Sequence, residues 1–375
     1  MVDLKGQYEH IRTEVNAGIQ EVIDSTAFIK GGKVTDFQAH LEQYLGVKHV
    51  IPVANGTDAL QIALMSLGLQ PGDEVITPTF TFIATAEVVA LLGLTPIVVD
   101  VEPGTFCMSV ESVEKAITSR TKAIVPVHLF GQNANMEAIT AIAEKHHLFV
   151  VEDACQSIGA EYRFANGDVK KSGCMGEFGC TSFFPSKNLG CFGDGGALFT
   201  NDDTLAAEAR CRANHGMIVR YHHDKIGVNS RLDSIQAAVL DVKLKHLHEY
   251  TQNRQRAAVY YDSAFSSSPE ITIPERNPQS THVFHQYTIR LHESIDRDLL
   301  REKLAEKGIP SMIYYPIPLH LQKAYQNDRY KQGDFPVAEM LCKTVLSLPM
   351  HTELTEEQLE YITTSVLTLL NECKK

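Results

Sequence analysis

Pro96-Ile97-Val98-Val99-Asp100 and Lys122-Ala123-Ile124-Val125-Pro126-Val127-His128, with the helical stretch Val110 to Ile117 between them, decide the fold. Both runs are too evenly apolar to keep one face in water, so each reads as a strand covered on both sides. A helix between two such strands is a crossover, and crossovers join parallel neighbours. The same alternation continues outward. Asp73 to Thr77 reads as a strand and Ala86 to Leu94 as a helix. Asn135 to His146 spaces Met136, Ile139, Ile142 and Ala143 three and four apart, the period of one helix face. Phe149-Val150-Val151 closes the series as a strand. The expectation is an α/β fold with a mainly parallel sheet covered by helices, whose ligands bind beyond the carboxyl ends of the strands.

Near residue 245 the character changes. Lys243 to Ser266 is a long helical stretch rich in Tyr, Arg and Gln. A second set of strand and helices follows at His285–Arg290, Arg297–Lys307 and Glu356–Asn371. With 375 residues available, this predicts a large domain over 1–247 and a smaller C-terminal α/β domain over 248–375. An apolar share of 44% and a charged share of 21% exclude a disordered or fibrous chain. Net charge is 34 − 46 = −12, without a dense Lys/Arg block, which argues against a nucleic-acid partner. No run of roughly 18 apolar residues occurs, and Met1-Val2-Asp3-Leu4-Lys5 opens no hydrophobic leader, so neither membrane insertion nor export is expected. The eight cysteines lack Cys-x2-Cys spacing and read as free thiols of a reducing cytoplasm. His146-His147, His222-His223 and the His246/His248 pair lack the spacing of a helical zinc pair, so no metal is expected.

Four segments carry chemistry. Ala54-Asn55-Gly56-Thr57-Asp58-Ala59 leads into a helix with Leu60, Ala63, Leu64 and Leu67 on one face. Gly56 permits close backbone approach, and unpaired amides at a helix start bind anions; the same residues also suit a plain N-cap. Glu152-Asp153-Ala154-Cys155-Gln156-Ser157 puts Asp153 and Gln156 at a strand's carboxyl end, where an acid can hold a protonated ring nitrogen or simply cap the next helix. Ser182-Phe183-Phe184-Pro185-Ser186-Lys187 surrounds a lone lysine with apolar neighbours ahead of the Gly193-to-Gly196 turn. Desolvation lowers an amine's pKa and frees its lone pair for attack on a carbonyl. The glycines do not match Gly-x-Gly-x-x-Gly, which excludes a dinucleotide loop. Finally, Asn229 and Arg231 suit a phosphate or carboxylate, or a surface salt bridge.

Together with Thr77-Pro78-Thr79-Phe80-Thr81-Phe82, these motifs resemble, over essentially the whole chain, the sugar-nucleotide aminotransferase family (DegT/DnrJ/EryC1/StrS type). Thr181–Thr200 and Tyr221–Ala237 look most like its members acting on UDP-2-acetamido-2-deoxy-3-oxo-glucuronate. The resemblance implies the aspartate-aminotransferase type of fold, pyridoxal 5'-phosphate (PLP) as cofactor and a homodimer. It also implies L-glutamate and a keto-sugar nucleotide as substrates, in surface polysaccharide synthesis. Lys187 matches the Schiff-base lysine, Asp153 the partner of the pyridine nitrogen, Gln156 the group near the phenolic oxygen, and Phe82 the ring stacked on the cofactor. Gly56, Thr57 and Ser182 match phosphate positions, and Asn229 a phosphate ligand from the neighbouring subunit. Arg231, Tyr314 and Tyr315 are the substrate-binding candidates, Arg231 through its carboxylate-shaped fork. Tyr314 departs from the family pattern, where many relatives have a His before Tyr-Pro. A related dehydrating branch carries a histidine in place of the lysine, so Lys187 argues against it. A regulator that kept only the fold would be expected to have lost Asp153, Lys187 or the phosphate loop.

Overall fold

The structure is a computed structural model that describes residues 1–326 and 328–375. Its main sheet gathers β1 (His49–Val53), β2 (Glu74–Pro78), β3 (Thr95–Val99), β4 (Thr121–Ile124) and β5 (Phe149–Asp153). After a small hairpin, β6 (Glu161–Arg163) with β7 (Val169–Lys171), come β8 (Phe178–Ser182) and β9 (Gly196–Thr200). The order across the sheet is β1-β9-β8-β5-β4-β2-β3. From β3 to β8 every pairing is parallel, as the alternating pattern predicts, and the β8–β9 and β9–β1 pairs are antiparallel. The reversal has a local cause. The segment after Ser182 contains no crossover helix, and its glycine-rich turn brings the chain straight back beside itself.

The strand predicted over Lys122–His128 is shorter, because Pro126 has no N–H to give to the ladder. Pairing resumes beyond it: Asp153 N donates to Pro126 O (2.9 Å) and His128 N to Asp153 O (3.0 Å). Those two bonds fix the backbone at the end of β5. Both faces of the sheet are buried. Leu60, Ala63, Val75, Val151 and Leu198 meet on one side, and Ile76, Ile97, Ile124, Ile139 and Val150 on the other. Each such Leu, Ile or Val side chain contributes roughly 1.5–3 kcal/mol on leaving water.

The long helix spans Ser234–Phe265, starting earlier than Lys243 because Ala237, Ala238, Leu240 and Val242 are also buried. Position 247 therefore lies inside a continuous helix. The helix's first part packs on the helices Leu4–Ser25 and Gly32–Leu45. Its last turns, through Tyr261 and Phe265, enter the core around a smaller antiparallel sheet. That sheet has the order β10 (Ile271–Thr272), β11 (Tyr287–Leu291), β12 (Val345–Leu348) and is covered by the helices Arg297–Glu306 and Glu356–Leu370. A further apolar cluster joins Phe80, Phe106 and Phe130 to Ala338, Leu341 and Val345. Among the described residues no helix is long and apolar enough to cross a membrane.

Candidate active site

The strand ends that point the same way converge on one cavity of about 590 Å³. It is lined by Gly56, Thr57, Phe82, Asp153, Gln156, Ser182, Lys187, Tyr314 and Tyr315, nine of the eleven candidates.

At one end lies the start of the helix Gly56–Ser66. Asn55 caps it, Oδ1 accepting from Asp58 N (2.8 Å). Gly56 and Thr57 are its first two residues, whose amides have no acceptor within a helix. A Cβ on Gly56 would stand 2.8 Å from Ser182 Cβ and 2.9 Å from Cys155 Sγ, so only glycine brings the backbone this close to β8. Gly196 is constrained in the same way from β9, where a Cβ would meet Asn55 C at 2.4 Å. Ser230 braces the cup from outside: its Oγ accepts from Ala54 N (2.9 Å) and donates to Asp58 Oδ2 (2.6 Å). Free amides, a helix dipole and the Ser182 hydroxyl make a receptacle for a dianionic phosphate.

Asp153 ends β5 and is 6% exposed. Thr85 Oγ1 donates to its Oδ2 (2.7 Å) and Cys155 N to its Oδ1 (3.2 Å). Gln156 uses both ends of its amide, Oε1 accepting from Phe130 N (2.8 Å) and Nε2 donating to Tyr315 OH (3.2 Å). Tyr315 packs edge-on against Phe80, and burial pushes its phenol well above the usual range. Phe82 stands at the wall with its ring 54% exposed.

Lys187 sits in the loop between β8 and β9, in a turn closed by Lys187 N donating to Phe184 O (2.8 Å). Burial pushes its amine below the ordinary lysine value, against the smaller opposing pull of Cys155 and Asp153. That is the setting an amine nucleophile needs. The residues fit PLP on three counts: an amine depressed by burial, a fixed carboxylate for the ring nitrogen, and a glycine-lined cup for the phosphate.

Asn229 and Arg231 lie outside this cavity. Asn229 is exposed and bridges to Asn214, and Arg231 is half-buried with Nε enclosed and without a partner. Three further residues of the site escape sequence reasoning. Thr85 is an ordinary helix residue until the fold brings it to Asp153. Cys155 lies inside a quoted motif but gives no separate signal. His285 reads as the start of a strand and instead lines the cavity.

The chain matches the DegT/DnrJ/EryC1/StrS aminotransferase family over residues 9–367. It is 46% identical to a UDP-2-acetamido-2-deoxy-3-oxo-D-glucuronate aminotransferase of Pseudomonas aeruginosa, covering 96% of this chain and 97% of that one. It is 47% identical to a protein of Geobacillus stearothermophilus named as a pleiotropic regulatory protein, over 96% of each. The Bacillus subtilis protein NtdA, solved with the amine form of the cofactor (PMP), superposes with a TM-score of 0.87 at 33% identity. The match covers 96% of this chain and 82% of that one. On this fold, this cavity and these relatives, the chain belongs to the DegT/DnrJ/EryC1/StrS aminotransferase family and is a PLP-dependent sugar-nucleotide transaminase.

Proposed function

We propose that this enzyme transfers the amino group of L-glutamate to the 3-oxo carbon of UDP-2-acetamido-2-deoxy-3-oxo-D-glucuronate, for surface polysaccharide synthesis in the cytoplasm. The observation offered for the uronate reading is Arg231, whose Nε is buried without a partner; it lies outside the cavity of its own chain, so it would meet a substrate only in a partner's site, alongside Asn229. An unsatisfied guanidinium N–H costs free energy that a ligand carboxylate would recover through paired hydrogen bonds. Donor and acceptor would then share a carboxylate, and one arginine serves both half-reactions.

Lys187 would hold the cofactor, Gly56, Thr57 and Ser182 would take its phosphate, Phe82 would lie against its ring, and Asp153 would face its ring nitrogen. When bound, PLP supplies an aldehyde and a protonated ring that withdraws electrons from the carbon bearing the amine. Its amine free, Lys187 would move a proton as general base and then as general acid. Asp153 keeps the opposing charge in place, braced by Thr85. The two substrates react in turn, so the kinetics are ping-pong.

We assign the working unit as a homodimer in which Asn229 completes the partner's phosphate site. Supporting this, Asn229 lies at the foot of a segment that exposes Ile218 (75%), Val219 (60%), Tyr221 (76%) and Ile226 (82%). Isolated apolar residues on a surface need no explanation, but a cluster of this kind marks an interaction surface.

Two measurements test these assignments. Borohydride treatment of the PLP-loaded protein should leave the cofactor on Lys187, and a label on another lysine overturns that role. Single-turnover reaction of the aminated enzyme should favour the 3-oxo uronate over a 4-keto-6-deoxy sugar nucleotide, with Arg231→Lys slowing both half-reactions about tenfold. Preference for the deoxy sugar would discard the uronate.

A further inference from the structure

The cavity that one chain forms is acidic, whereas a sugar nucleotide is an anion. Asp58, Asp153 and Asp194 line it, and among the described residues Lys187 is the one cation on its walls. The amine of Lys187 is committed to the cofactor, and the cofactor's own phosphate is dianionic. A nucleoside diphosphate entering such a site meets like charge between low-dielectric walls, where repulsion is strongest. The cations that offset it must come from outside the cavity of its own chain.

Three such cations stand near the segment 214–231. Among the described residues Lys30, Arg220 and Arg231 form no ion pair, whereas Arg212 and Lys225 share Glu208. Arg220 is turned back on its own segment, its guanidinium 5.0 Å from the Tyr221 ring centroid and its Nη2 donating to Tyr221 OH (3.1 Å). Lys30 is exposed, and its Nζ donates to Asn214 Oδ1 (3.3 Å). Asn214 pairs in turn with Asn229 through an isolated antiparallel bridge, two residues before Arg231. Lys30, Asn229 and Arg231 thus share one patch, and none of them lines the cavity of its own chain.

The backbone places Lys30 there at a cost. Its φ is +54°, a left-handed conformation that a residue with a side chain seldom adopts. Both neighbours are pinned to the start of the long helix. Ile29 bridges Asp233, Gly31 N donates to Ser234 Oγ (3.2 Å), and Ser234 N donates to Phe28 O (2.9 Å). A Cβ on Gly31 would meet Ala27 O at 2.3 Å, so the turn closes here only with glycine. Phe28 and Ile29 are exposed, so this turn, like the segment 214–231, offers apolar side chains to a partner.

We propose that Lys30 of each copy binds the diphosphate of the sugar nucleotide held in the partner's cavity, with Arg231 beside it taking a substrate carboxylate. Charge complementarity makes a second copy the occupant of this face: the cationic patch of one chain covers the acidic cavity of the other, and two-fold symmetry gives each site one such lysine. A compact ammonium on a flexible stem suits a diphosphate, whose oxygens demand no planar fork. The inference rests on the homodimer in which Asn229 completes the partner's phosphate site, because Lys30 shares its patch.

Calorimetric titration of the PLP-loaded protein with UDP tests the contact, with uridine, which lacks the phosphates, as the reference ligand. Lys30→Met keeps the reach of the side chain and removes its charge. UDP should bind about tenfold more weakly to it, and uridine as before. The difference should narrow as salt is raised, and Lys30→Glu should widen it. Lys33→Met removes a nearby charge already paired with Glu21 and should leave UDP binding unchanged. The reaction of the cofactor with L-glutamate, followed by absorbance, involves no diphosphate and should keep its rate in Lys30→Met. An unchanged UDP affinity in Lys30→Met, or an equal loss for uridine or in Lys33→Met, would overturn the role. Sedimentation separates the two claims: a dimer whose UDP affinity ignores Lys30 removes this lysine alone, whereas a monomeric PLP-loaded protein removes the shared site beneath it.

Discussion

The floor of the cavity and the segment from Asn214 to Arg231 follow opposite rules. On the floor nearly every polar atom has a partner within the same chain: Asp153 with Thr85 and Cys155, Gln156 with Phe130 and Tyr315. The segment 214–231 is tied to the neighbouring elements at its base. His215 N donates to Val228 O (2.9 Å), Arg212 Nη1 to Ile226 O (2.7 Å), and Lys225 pairs with Glu208. Beyond that base it offers apolar side chains to the outside, and at its foot Arg231 has an unpartnered Nε. A self-satisfied region can perform its chemistry without outside help. The other leaves apolar side chains exposed and, among the described residues, one buried N–H without a partner.

The largest effect that would break this contrast is at Asp153. Asp153→Asn keeps an oxygen for one of its two donors but loses the charge proposed to face the ring nitrogen. Turnover should fall about 10²–10³-fold, the equivalent of roughly 3–4 kcal/mol at a transition state, with the melting temperature little changed. A near-native rate would reduce Asp153 to a strand-end cap.

The next experiment asks whether the outer segment serves a second copy. Lys187→Ala and Asn229→Ala chains, each inactive or impaired alone, are mixed and allowed to exchange subunits. If Asn229 acts across the interface, each heterodimer has one intact site and one carrying both defects. Random pairing then restores about a quarter of the native activity. No recovery after proven exchange would mean that each site is built within one chain.

The smallest expected effect sharpens the other side. Thr85→Val removes the hydroxyl that holds Asp153 Oδ2 while keeping the shape. One hydrogen bond to a charged group should be worth about 1.5–3 kcal/mol, part of which the remaining Cys155 amide retains. A kcat lowered about fivefold to tenfold, with KM for the donor unchanged, would fit a residue acting through Asp153. Loss of cofactor binding would not.

The same contrast explains what the sequence made legible. The parallel part of the sheet follows from apolar runs and spacing, because a strand buried on both faces leaves that mark in composition. The site residues Gly56, Asp153 and Lys187 sit in local motifs and could be read one at a time. The antiparallel end of the sheet could not, since whether a glycine-rich loop turns back depends on contacts such as Gly196 against Asn55. Thr85 and His285 were hidden for the same reason. Each is connected to its partner across a long stretch of chain, Thr85 to Asp153 and His285 to Asn188, and neither carries a local pattern.

The helix Ser234–Phe265 has a mechanical consequence. Its 32 residues form a rod about 48 Å long. One end is packed beside the large sheet, and the other is built into the core of the small one. Arg254, inside that rod, also clamps the carbonyls of Phe284, His285 and Met350. Swinging one half of the molecule against the other would require bending a hydrogen-bonded cylinder and pulling a buried guanidinium off three acceptors. The enzyme is therefore stiff along this axis. Access for substrates through adjustments at the rim of the cavity would leave both the helix and this clamp intact.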